Sequence, residues 1–227
     1  MFSYYGGKGR IALHYPPPAF PLVIEPFAGG GWYSVRHAER YRDDGLPLFK
    51  SILVDPNPIV VETWRWLIQE ATIDDMVSFP EHVAGTPMMR HTPDGKDYFY
   101  RWWGNQGAEK PRNYAGSFAT WSLSKACSRL PLVKDWEIVR GTYDSLANVE
   151  ATWFIDPPYQ SDGKGSRYTF NEIDYDDLAK FCLSRRGQVI VCDREGADWL
   201  PFQPLAHATS QGQRNQQLKE VIWSNWD

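Results

Sequence analysis

The chain has 227 residues, 42% of them hydrophobic and 15% aromatic, which suffices for one large domain, or a core domain carrying an insertion, around a sizeable apolar core. A net charge of −4 excludes coating of nucleic acid by charge alone, and no run approaches the roughly 18 apolar residues of a membrane span. Cys127, Cys182 and Cys192 lack paired metal-ligand spacing, Lys8 and Arg10 precede no continuous apolar segment, and a soluble protein of the reducing cytoplasm is expected. From the N-terminal side, LVIEPF (22–27) reads as a buried strand that runs into three glycines and then a helical pattern, WYSVRHAERY. SILVDP (51–56) is the next strand, followed by a helix over 57–70 capped by Asn57. The stretch from 71 to 134 breaks the rhythm and reads as a helical insertion, dense in Gly, Pro, Trp and Tyr. WEIVRGTYD (136–144), TWFIDP (152–157) and QVIVCD (188–193) resume the strands, a helix over 174–185 follows Asp174, and LKEVIWSNW (218–226) adds an edge or antiparallel strand. Strands alternating with helices imply βαβ units and a mainly parallel sheet, with a core domain formed by 1–70 and 135–227. SILVD, TWFID and QVIVCD each end in an acid, so carboxylates collect along one rim of that sheet.

The glycine turn lets a ligand approach the backbone, and the helix after it offers an N-terminus to a carboxylate or phosphate. The dinucleotide fingerprint G-x-G-x-x-G is not met, because position 34 is Ser, which disfavours a nicotinamide-dependent oxidoreductase. Asp55 follows Gly31 by 24 residues, a spacing suited to an acid that accepts the hydroxyls of a ribose, against the alternative of an Asp-Pro turn or helix cap. WFIDPPYQ (153–160) carries the sharpest signal. Neither Pro157 nor Pro158 has an N–H, so the strand stops there and Asp156 stands at the carboxyl edge of the sheet, where open α/β sheets bind ligands. An exocyclic amine of a nucleobase is a poor nucleophile, since its lone pair is delocalised into the ring. A carboxylate and a proline-fixed carbonyl accepting its protons return that density, while Tyr159 offers a stacking surface.

These residues resemble the Dam-type DNA adenine-N6 methyltransferases. The tetrad DPPY stands complete at 156–159, and YYGGKGR (4–10), IEPFAGGG (24–31), ILVDPN (52–57) and GTYDSL (141–146) occur in the family's order. The resemblance implies a Rossmann-like α/β methyltransferase sheet with helices on both faces and S-adenosylmethionine as cofactor, with no metal. It makes Tyr4 and Lys8 cofactor contacts, sets Phe27, Gly29 and Gly31 at the methionine end, Asp55 at the ribose and Asp144 near the cofactor adenine. Asp156, which also faces the cofactor, and the Pro157 carbonyl grip the target amine, and Tyr159 stacks on the target base. The partner implied is double-stranded DNA, with the target base flipped out at a cost of a few kcal/mol.

For the DNA surface, residues 86–134 hold eight Lys or Arg against three Asp or Glu, a local balance of +5. HTPDGKDYFYRWWGNQ (91–106) interleaves cations with aromatics, a pattern shared by nucleic-acid surfaces and by small aromatic cores. Arg90, Arg101, Trp102, Arg112, Lys125 and Arg129 are the candidates there, joined by Lys164 and Arg167 in the polar loop QSDGKGSRYTFN (160–171), which reads either as a cover over the flipped base or as an ordinary solvated loop. FATWSLSKACSRLPLVKDW (118–136) departs from the family, with Ser and Lys where an Asn is expected and little length for a recognition hairpin, so a short or relaxed target sequence is expected. Methylation of cytosine N4 demands the same polarisation, and a non-catalytic DNA-binding relative is the alternative outside catalysis.

Overall fold

The computed structural model describes residues 1–81, 83–88, 93–105, 109–116, 123–160, 168–170, 172–211 and 217–226. Seven strands form one mixed sheet: β1 Leu22–Glu25, β2 Lys50–Asp55, β3 Glu137–Arg140, β4 Ala151–Ile155, β5 Gly187–Arg194, β6 Gln203–Gln211 and β7 Gln217–Ser224. Their order is β3-β2-β1-β4-β5-β7-β6. The first five are parallel, and β7 runs antiparallel to both β5 and β6. The tail strand is therefore antiparallel as expected but interior rather than at the edge. The edge strand is β6, which the sequence reading did not assign. Pro204 and a bulge between Pro204 and Thr209 break its alternation, and both are tolerated because an edge strand leaves one side of its backbone unpaired.

Every residue of β4 is buried, which accounts for its unbroken run ATWFI. Alternate residues of the strands face opposite sides. Val23, Leu53, Phe154, Ile190 and Cys192 join one apolar core, and Ile24, Trp153, Ile155, Val189 and Val191 join a second. The helices α1 (Trp32–Asp43) and α2 (Pro58–Arg65) cover the first face. The second packs against α6 (Tyr175–Ser184) through Leu178 and Cys182. Asn57 caps α2 by accepting from the Ile59 N–H at 3.0 Å, and Asp174 caps α6 from Asp176 and Asp177, as their positions before each apolar pattern require. The helix expected over 57–70 changes geometry partway, continuing from Arg65 as a π-helical turn over Trp66–Glu70.

Residues 71–134 contain α3 (Ile73–Val77), α4 (Gly95–Trp103) and α5 (Leu123–Arg129). Described residues of this stretch pack into the core of the sheet. Phe99, Trp102 and Trp103 lie in the same cluster as Val23, Leu53 and Trp64, and Trp102 stacks on Phe2 at 4.7 Å and 14°. Among the described residues no helix is long and apolar enough to cross a membrane, and no group of His, Cys, Asp or Glu is placed to hold a metal ion.

Candidate active site

The strand order reverses between β1 and β4, since β1 pairs with β2 on one side and β4 on the other. The carboxyl ends at such a reversal diverge, and a crevice opens outside them. A cavity of about 370 Å³ occupies this position. The loop Tyr4–Lys8, the glycine turn, Asp55, Tyr143, Asp156 and Tyr168 are among its walls.

The glycine turn is demanded by packing as well as by backbone. Gly31 is the residue before α1, with φ of 60°, and a Cβ there would stand 2.5 Å from the Trp64 ring. Gly29, at φ of 45°, has the Tyr4 ring where its Cβ would go. Asp55 braces the turn: Oδ2 accepts the Gly29 N–H and Oδ1 the Asn57 N–H, both at 2.9 Å. Its turn-forming role and its place on the cavity wall thus coexist. Burial pushes the Asp55 carboxyl up to about 6, against the pull of those two N–H groups.

Glu25, the last residue of β1, completes the rim of strand-end acids and was not singled out in the sequence. It is 3% exposed, and Oε1 accepts the Ser34 N–H at 2.8 Å, satisfying one of the unpaired donors of the first turn of α1. Burial raises it to about 7, again against hydrogen bonding from Ser34. The signal was available, since LVIE ends in an acid just as the other strands do.

At the end of β4 the tetrad builds a polar cluster. Asp156 Oδ1 meets Lys8 Nζ at 2.8 Å and accepts from Cys192 Sγ at 3.3 Å. Lys8 also donates to the Gly6 carbonyl at 3.1 Å and stands 4.7 Å from the centre of the Tyr159 ring. The structure therefore joins Lys8 to Asp156, two residues whose expected partners were different. Burial pushes the Asp156 carboxyl up, with the Lys8 ammonium opposing. Burial disfavours the Lys8 charge, yet the Asp156 and Glu220 carboxylates outweigh it and hold that ammonium above its ordinary range. The Tyr159 hydroxyl donates to Glu220 Oε2 at 2.6 Å, and the Tyr15 hydroxyl reaches the same oxygen at 3.4 Å. Pro157 is buried, and Pro158 lines the cavity while its carbonyl accepts from Tyr175. Cys192 is buried, but its thiol also touches the tetrad acid.

Phe27 lines the cavity and stacks on Tyr143 at 5.7 Å and 28°. Asp144 is exposed and accepts from the Thr142 hydroxyl, so within GTYDSL it is Thr142 and Tyr143 that line the cavity. Tyr168 and Glu172 are further lining residues, as is Glu109, which no sequence pattern singled out.

The candidates for DNA contact divide. Arg112 and Lys125 are exposed. Arg101, Trp102 and Arg129 are 6%, 0% and 5% exposed, which corrects their reading as a DNA surface. Arg101 donates to Asp97 and to the carbonyls of Pro111 and Arg112 at 2.8–3.2 Å. Arg129 forks onto both oxygens of Glu39 at 2.8 and 3.1 Å and lies over the Trp32 ring. Burying these cations without partners is costly, and the chain supplies the partners itself. Arg90, Lys164 and Arg167 fall outside the described residues.

No family model and no curated protein matches the sequence. Among solved structures, a conserved hypothetical protein from Streptococcus pyogenes is similar over 90% of this chain and 85% of its own, at 13% identity and a TM-score of 0.38.

Proposed function

We propose that this chain is a DNA methyltransferase of Rossmann-like fold that transfers a methyl group from S-adenosylmethionine to the N6 amine of an adenine turned out of the duplex. The observation that carries the reading is the position of Asp156. It follows β4 directly and faces the same cavity, at the strand-order reversal, as the glycine turn and Asp55.

The donor set fits the cofactor. Among the described lining residues the carboxylates are Glu25, Asp55, Glu109, Asp156 and Glu172, and Lys8 is the one basic side chain. Such a wall favours a ligand that brings positive charge, and S-adenosylmethionine when bound supplies a methyl group activated by a sulfonium cation. Asp55 would hold its ribose, the turn around Gly29 with Phe27 its methionine end, and Tyr143, stacked on Phe27, would offer a further apolar wall.

Among the described residues Lys8 and Cys192 contact Asp156 through Oδ1, and Oδ2 would accept a proton of the target amine and raise its nucleophilicity. Lys8 fixes the carboxylate and opposes the burial that pushes its pKa up. Tyr159, whose ring lies against Lys8, would supply the stacking surface for the base. Orientation of this kind accounts for a large share of rate when two reactants must meet in line. The exposed Arg112 and Lys125 are the described candidates for phosphate contact.

Labelled methyl transfer to unmethylated duplex DNA, followed by digestion and nucleoside mass spectrometry, tests the proposal. N6-methyladenine is the expected product. N4-methylcytosine would reassign the target base, and binding of S-adenosylhomocysteine without transfer to any DNA would leave the non-catalytic relative. Methylation mapping on random DNA decides the breadth of the target, a short or relaxed sequence being expected.

A further inference from the structure

The geometry points to Glu220 as a positioning residue that anchors the tetrad tyrosine, Tyr159, through its hydroxyl; this rests on the methyltransferase reading. Glu220 lies on β7, opposite Arg194 in the register with β5, and β5 in turn pairs with the tetrad strand β4. It is 2% exposed. A carboxylate is expensive to bury, and an apolar side chain would fill the same space at less cost. What the carboxylate adds is a charged acceptor. The Tyr159 hydroxyl donates to it at 2.6 Å, within the short range of hydroxyl–carboxylate bonds, and the Tyr15 hydroxyl approaches the same oxygen at 3.4 Å.

The tetrad tyrosine is consequently held at two points, its hydroxyl on Glu220 and its ring face against Lys8 at 4.7 Å. A free phenol turns about two side-chain torsions, and a base stacking on it must bear the cost of stopping that motion. An anchored phenol has met this cost during folding. Glu220 also adds the second negative charge that helps keep Lys8 protonated, so the same residue steadies both groups flanking Asp156. It comes from the antiparallel strand that follows the parallel part of the sheet, 61 residues beyond Tyr159 in sequence.

The test is a double-mutant cycle on methyl transfer. Glu220→Gln keeps the volume and one acceptor oxygen but removes the charge, and Tyr159→Phe removes only the donor. Each is expected to lower kcat about tenfold, and the double variant to be no slower than Glu220→Gln alone. The Kd for S-adenosylhomocysteine is expected to stay within about twofold in all three, which separates positioning from general damage to the fold. Tyr15→Phe, which removes the weaker contact away from the tetrad, is expected to change Tm while leaving kcat within about twofold. An unchanged kcat in Glu220→Gln, or effects that multiply in the double variant, would overturn the assignment and leave the methyltransferase reading intact. Should Glu220→Gln not fold, Tyr159→Phe alone decides, because undiminished kcat there shows the anchor to be dispensable. No transfer by the wild-type protein to any DNA would remove the methyltransferase reading and this inference together.

Discussion

At the carboxyl edge of the sheet, charged side chains face a cavity, whereas in residues 71–134 Phe99, Trp102, Trp103 and two of the arginines face inward. The difference lies in how each charge is compensated. Glu25 and Asp55 accept backbone N–H groups, yet burial still lifts them to about 7 and about 6, so those hydrogen bonds do not offset the loss of water around the charge. Arg101 and Arg129 are fully compensated from within, by Asp97 and backbone carbonyls in one case and by Glu39 in the other. A group left wanting a partner beside open space is a candidate for ligand chemistry. A group whose partners are all internal is part of the scaffold.

The contrast can be broken most sharply at Asp156. Asp156→Ala is expected to lower methyl transfer at least about a thousandfold, roughly 4 kcal/mol, while S-adenosylhomocysteine still binds. Transfer within tenfold of wild type would show that the cleft acid has no part in chemistry. On the scaffold side, Arg101→Ala is expected to destabilise the fold by about 3 kcal/mol in urea titration, because it breaks a buried ion pair with Asp97 and removes the donor to the Pro111 and Arg112 carbonyls. A loss confined to DNA affinity, with stability unchanged, would restore Arg101 to the surface reading.

Glu25 gives a pH-dependent test. Its folded value lies above its unfolded one, so between about pH 4.5 and 7 the folded state holds more protons, and the contribution of Glu25 to stability falls as pH rises through that window. Relative to Glu25→Gln, the wild type is expected to lose on the order of 3 kcal/mol across it, the most that a shift of this size supplies. Burial lowers His37 to about 4, which gives the opposite slope in part of the same window, so the comparison must be with the variant rather than with the raw profile. A difference that does not vary with pH would mean that folding leaves the Glu25 pKa where it is in the unfolded chain. The smallest effects belong to Arg112→Ala and Lys125→Ala, each expected to change stability by less than about 0.5 kcal/mol. For DNA binding, each is expected to reduce the salt slope by about 1. An unchanged salt slope would exclude both from the phosphate contacts.

Much of the cleft was legible before any coordinates. Proline blocks a ladder hydrogen bond wherever it sits, so DPP after TWFI announces the end of a buried strand and places Asp156 at its edge. The glycine turn, Asp55 and the caps at Asn57 and Asp174 are equally local, decided by backbone geometry over a few residues. Residues 91–106 were not legible in this way. An aromatic next to a cation has the same sequence whether it faces phosphate or a core, and only the packing of α4 against α2 and the N-terminal segment put Trp102 on Phe2. The edge strand β6 escaped notice for a related reason, since Pro204 and the bulge erase the alternation by which strands are recognised.

The sequence by itself determined the strand ends, the turn and the acids they carry, because these follow from hydrogen bonds that proline lacks and conformations that glycine allows. Tertiary structure alone decided which charges found partners. Lys8 meets Asp156 across about 150 residues of chain, and Tyr159 meets Glu220 across 61. Contacts of that range depend on the order in which strands enter the sheet, and no local pattern encodes that order.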